Sequence, residues 1–149
     1  MNTTMKSLLE SATAPDDLAS RYVDVGTLPW KPTPTPGIDM KILLDVPETG
    51  LMTALFRWAP GTQLPLHEHV EIEQTYVLQG SLVCPEGECK AGEFVWRPAG
   101  SRHEAWGGPE GGLMLAIFRL PNKFFQRDGR ETDFLGNDWQ KAWGVLRRP

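Results

Sequence analysis

Two stretches, GTQLPLHEHVEIEQTYVLQG over residues 61–80 and GEFVWRPAGSRHEAWG over residues 92–107, decide how this chain folds. Both set short apolar, β-branched or aromatic runs between glycine and proline, the pattern of strands closed by tight turns. They also hold the whole histidine inventory, His67, His69 and His103. Side chains two apart on a strand point to the same face, so His67 and His69 project together and can reach one ion. Glu73 shares their parity, but four residues of extended strand cover roughly 13 Å, whereas ligands about 2.0–2.2 Å from one ion lie within about 4 Å of each other. The chain must therefore bend over Val70-Glu71-Ile72. Pro98-Ala99-Gly100 lets it turn again just before His103, because Pro fixes φ and Gly admits positive φ. Three imidazoles and one carboxylate are thus predicted to converge on one divalent metal ion.

Outward from this centre the rhythm continues. Residues 40–46, 51–58, 73–79, 81–84, 93–97 and 113–120 read as strands, separated by turn signals at 47–50, 59–61, 85–87, 90–92, 98–100 and at Gly107-Gly108-Pro109. Short strands at such spacing make an all-β sandwich or barrel. Residues 4–12 predict a short helix, and Pro29, Pro32, Pro34 and Pro36 an extended lead-in. Trp139, Ala142, Trp143 and Leu146 fall at i, i+3, i+4 and i+7, which predicts a terminal helix over residues 138–146. The chain divides into an N-terminal extension (1–37), a barrel domain (38–125) and a C-terminal tail (126–149).

A length of 149 residues with 40% hydrophobic and 23% charged side chains suits one globular domain with a core of its own. The net charge of −4 and the scattered basic residues offer no footprint for a phosphate backbone, so nucleic acid is excluded as a partner. No stretch has the apolar length of a membrane span or a signal-peptide core, which predicts a cytoplasmic location. Cys84 and Cys89 flank a turn-like segment, where they can pair or bind a metal. In a cytosolic protein they read as reduced thiols without a role.

At these residues the chain resembles the cupin superfamily. Gly61, His67-x-His69, Glu73 and Gly80 match the first cupin motif at every spacing, and Gly92, Pro98-x-Gly100 and His103 match the second; the Asn that closes the second motif is Gly107 here. The resemblance implies a double-stranded β-helix, or jelly-roll barrel. More narrowly, HEHVEIEQTYVLQG, GEFVWRPAGSRHEAW and LPNKFF resemble small bacterial cupins grouped with acetylacetone-cleaving and dihydroxyacetophenone dioxygenases, and the cupin domain of zinc-binding anti-sigma factors. Those dioxygenases bind ferrous iron through three histidines. Glu73 departs from that set and is similar to the three-His, one-Glu site of the anti-sigma type.

Imidazole and carboxylate ligands suit Fe(II), Zn(II), Mn(II) and Ni(II), and four of them leave open positions on an octahedral ion. The favoured expectation is an Fe(II) dioxygenase cleaving a carbon–carbon bond of a small dicarbonyl or hydroxyketone. A non-catalytic zinc cupin and a sugar isomerase or epimerase are the alternatives, although residues before Gly61 are too Pro-rich for the helical domain of an anti-sigma factor. A dry aromatic pocket is expected from Phe56, Trp58, Tyr76, Phe94, Trp96, Trp106, Met114 and Phe118. Arg97 is the expected substrate-clamping catalytic residue, ahead of Arg57 and Arg102, with Tyr76 as its catalytic companion; Gln74 and Glu104 are further candidates to orient ligands. Cupins often pair through their sheets, so a homodimer or tetramer is expected.

Overall fold

Ten strands, a short helix and two 3-10 turns appear among the described residues, 17–147, of the computed structural model; the helix predicted over residues 4–12 lies outside them. The strands are β1 (Lys31–Pro32), β2 (Ile38–Val46), β3 (Leu51–Trp58), β4 (Gln63–Glu68), β5 (Glu73–Cys84), β6 (Gly87–Lys90), β7 (Phe94–Arg97), β8 (Arg102–Arg119), β9 (Lys123–Phe125) and β10 (Glu131–Thr132). All pair antiparallel, in the order β1-β2-β3-β8-β4-β9-β10, with β5 joining β8 to β6 and β7. This is the expected all-β jelly roll.

The long strand β8 is its spine. Its first half pairs with β4, bringing His103 opposite His67, and its second half lies between β3 and β5. The Gly107-Gly108-Pro109 segment, predicted as a turn, runs as strand inside β8. Its glycines let backbones touch instead of reversing the chain. Gly111 has φ +78°, and a Cβ there would collide with the Trp58 carbonyl, while one on Gly80 would collide with the Gly111 carbonyl. At this corner β8 changes partner, from β4 in its first half to β3 in its second, while β5 runs along both. The predicted strands 73–79 and 81–84 are likewise one strand, β5, irregular at Val77/Gln79 and Gly80/Leu82. Strand β4, which carries His67 and ends one residue before His69, is not among the predicted runs because Pro65 and the polar Gln63 and Glu68 mask its pattern.

The core follows strand parity. Met40, Met52, Ala54, Ala116 and Phe118 form one cluster, and Ile38, Trp58, Val77, Leu82, Ala105 and Met114 another. The predicted terminal helix is α1 (Trp139–Trp143), capped by Asp138, whose Oδ1 accepts from the Lys141 amide at 2.9 Å, and it continues as a 3-10 turn through Gly144–Leu146. Its Trp139 is fully buried against Val70 and Leu120. No described helix is long and apolar enough to cross a membrane.

Candidate metal centre

His67 stands near the end of β4, in register with His103 at the start of β8, and His69 follows one residue beyond β4. All three are buried, and one ring nitrogen from each lies within 4.8 Å of the others. Nε2 of His69 is 2.8 Å from Nε2 of His103. Two lone pairs do not face each other at that distance unless a proton or a cation lies between them, and ligands at right angles on one ion stand about 3 Å apart. His67 Nδ1 is 2.8 Å from the Pro65 carbonyl, which can only accept, so the proton sits on Nδ1 and the Nε2 lone pair is free.

Burial, the largest cause, lowers the His67 pKa to about 4 and that of His103 to about 3, with neighbouring imidazoles and the Arg97 charge acting the same way. At neutral pH both rings are uncharged, the form in which an imidazole can hold a metal ion. Glu73, also predicted as a ligand, stands beside this set and not within it: its Oε2 is 3.5 Å from His69 Nδ1 and accepts from Asn122 Nδ2 at 3.1 Å. Burial pushes the Glu73 pKa up, but His69, His67 and Asn122 outweigh it and hold the carboxyl at about 2.

His67, His103 and Glu73 line a cavity of about 420 Å³. Of the predicted lining, Phe56, Trp58, Met114 and Phe118 face it. Phe124, Phe134 and Asn122 join them without having been predicted, because β9 and the loop before α1 reach the barrel through long-range pairing. Phe134 meets Phe56 and Phe118 edge-on at 6.4 and 5.9 Å between ring centres.

The remaining candidates lie elsewhere. Tyr76, Phe94 and Trp96 stand exposed on the outer face, and Gln74 shares that face with Tyr76, since Glu73, Thr75 and Val77 take the inner parity of β5. Trp106 does not reach the cavity. Arg97 donates through Nη2 to Cys84 Sγ at 2.7 Å and lines a separate groove against β6, so it does not face the aromatic cavity. Arg57 is paired with Asp39 at 2.7 Å, Arg102 with Glu68 at 2.9 Å, and Glu104 accepts from Gln63 at 3.0 Å. Both cysteines are free thiols; Cys84 lies opposite Gly87 and Cys89 opposite Leu82, diagonal places whose Cβ atoms stand too far apart for a disulfide. Burial pushes the Cys84 thiol up to about 11 in spite of Arg97.

A jelly-roll barrel with three convergent histidines, two of them lining its cavity, defines a metal-capable cupin. The chain belongs to the ChrR cupin-like domain family, which matches residues 18–123. No curated protein matches it. Among solved structures it is similar to a proposed acetylacetone dioxygenase of Methylibium petroleiphilum PM1, at 25% identity and TM-score 0.69 over 91% of this chain and all of that one. An acetylacetone dioxygenase of Acinetobacter johnsonii, at 21% identity and TM-score 0.68 over 92% and 99% of the chains, shares the fold. A cupin-like protein of unknown function from Ralstonia eutropha JMP134 is 28% identical, with TM-score 0.60 over 73% and 71%.

Proposed function

We propose that this protein is an Fe(II)-dependent dioxygenase that cleaves a carbon–carbon bond in a small dicarbonyl or hydroxyketone. One observation carries the reading: three buried histidines, at least two of them neutral, bring ring nitrogens to ligand spacing, and two of them, His67 and His103, line an aromatic cavity. A ferrous ion held by His67, His69 and His103 would supply Lewis acidity and a binding place for O₂. Glu73 beside them supplies the negative charge that offsets a divalent cation. Phe56, Phe118, Phe124 and Phe134 exclude water from the reacting end and favour a substrate with an apolar substituent. Arg97 acts on the centre by its charge, which helps to keep His67 and His103 unprotonated, and Tyr76 takes no part.

Protein purified without added metal and then loaded with iron is expected to take one ion per chain and to consume oxygen with 2,4-pentanedione or its phenyl analogue. Iron-loaded protein that consumes none with either overturns the assignment. The family match and the nearness of Glu73 to His69 favour a second reading, a zinc-holding cupin without catalysis; zinc as the native metal, with no oxygen uptake by the iron form, supports it.

A further inference from the structure

Asn122 has no place in either cupin motif, yet it is the side chain that fixes the acidic group of the centre. Its Nδ2 donates at 3.1 Å to Oε2 of Glu73, the same oxygen that faces His69 Nδ1 at 3.5 Å, while Thr75 Oγ1 reaches Oε1 at 3.4 Å. An amide N–H offered from one side leaves Oε2 turned toward the imidazole. A carboxylate facing Nδ1 favours the proton on that nitrogen, and so leaves Nε2, which faces His103, with its lone pair free for a metal.

The backbone before Asn122 is built to place it. Leu120 is the one described residue other than glycine with positive φ, +62°, a conformation L side chains rarely adopt and which persists only where the surroundings impose it. They do so here. The Leu120 side chain is buried, its amide donates to the Gly50 carbonyl at 2.8 Å, and the next carbonyl, that of Pro121, accepts from the indole of fully buried Trp139 at 2.9 Å. The terminal helix thus pins the turn from β8 to β9, and the turn delivers Asn122 to Glu73.

We infer that Asn122 is a positioning residue of the metal centre, acting through Glu73 on His69, and that the Trp139-pinned turn at Leu120–Pro121 sets it in place. This rests on the metal-centre reading above. The test titrates metal-free protein with Co(II), following binding and the visible spectrum of the bound ion, in wild type, Asn122→Ala, Glu73→Gln and the double variant. Wild type is expected to bind one ion per chain. Glu73→Gln is expected to bind it about 10–100-fold more weakly, the usual cost of losing a group behind a metal ligand, and Asn122→Ala to lose part of that affinity, with an altered spectrum and unchanged thermal unfolding of the metal-free form. Because Asn122 acts through Glu73, adding Asn122→Ala to Glu73→Gln is expected to cost almost nothing more. Wild-type affinity and spectrum in Asn122→Ala, or a double variant whose losses multiply, overturns the inference. Asn122→Leu, equal in size and without a donor, takes the place of the alanine variant should that one not fold. Absence of oxygen uptake by the iron form leaves these readouts untouched, whereas wild type that takes up no Co(II) overturns both readings.

Discussion

His67 and His103 are neutral because of where they sit, and that placement has a cost which pH exposes. In the unfolded chain a histidine titrates near its ordinary value of about 6.5, while burial holds these two at about 4 and about 3 in the folded protein. Between those limits the unfolded state binds more protons, so stability falls as pH falls. Metal-free protein is expected to lose about 2 kcal/mol per imidazole between pH 8 and pH 5, read as a drop in the urea midpoint. Glu73, held at about 2, adds a loss of the same sign below about pH 4.5. A midpoint that does not move between pH 8 and pH 5 contradicts the burial of these rings. Replacing His103 with Ala removes the ring that faces both of its neighbours and is expected to abolish stoichiometric metal uptake, measured by metal analysis after dialysis. The histidines were legible in the sequence because strand parity and a proline–glycine turn dictate where they point. Applied outward from Glu73, the same parity excludes Tyr76 from the cavity, a signal present in the sequence though overridden there by the residue's chemistry. Asn122 left no such signal: only the register of β9 and the turn before it bring it to Glu73.

Among the elements, β8 supplies His103 to the site directly, and α1 supports it from outside. In β8 the glycines that read as a turn, Gly107 and Gly108, are where the strand passes close against Ala59 and Ser81, and close approach of backbones cannot be told from chain reversal by composition alone. Gly111→Ala is expected to destabilise the fold by more than the roughly 1 kcal/mol of an ordinary Gly→Ala change, since it meets both positive φ and the Trp58 carbonyl. Thermal unfolding checks it, and wild-type stability would mean that the corner can relax. The helical spacing of Trp139, Trp143 and Leu146 was readable, but its destination was not: the indole of Trp139 is fully buried against Val70 and Leu120 and bonded to Pro121. Trp139→Ala is expected to cost about 3–5 kcal/mol in denaturant unfolding, which most domains of this size cannot lose without partial unfolding.

At the scale of the whole molecule, the sequence announces a barrel and leaves open what covers it. The outer face of β7, β5 and β8 carries a largely apolar band with Gln74 as its polar member, for Tyr76 lies across from Phe94 and Leu115, and Gln74 across from Trp96 and Ile117. Phe94 is 53% and Trp96 54% exposed, with Tyr76, Leu78 and Ile117 beside them. Three half-exposed aromatic rings alone present about 300 Å² of surface, within the range of the largest patches on soluble monomers, which are often functional. The inner faces of the same strands are already spent on the core and cavity, so this band cannot be buried by the barrel itself. A two-fold axis through it would set each copy's band against the other's, satisfying both with one self-complementary contact. The protein is therefore expected to sediment as a homodimer at micromolar concentration. A Phe94→Glu, Trp96→Glu variant, which places two carboxylates in the band and changes no side chain of the metal centre, is expected to sediment as a monomer with its metal content intact. A wild-type monomer under the same conditions would refute the pairing and leave the band to some other partner.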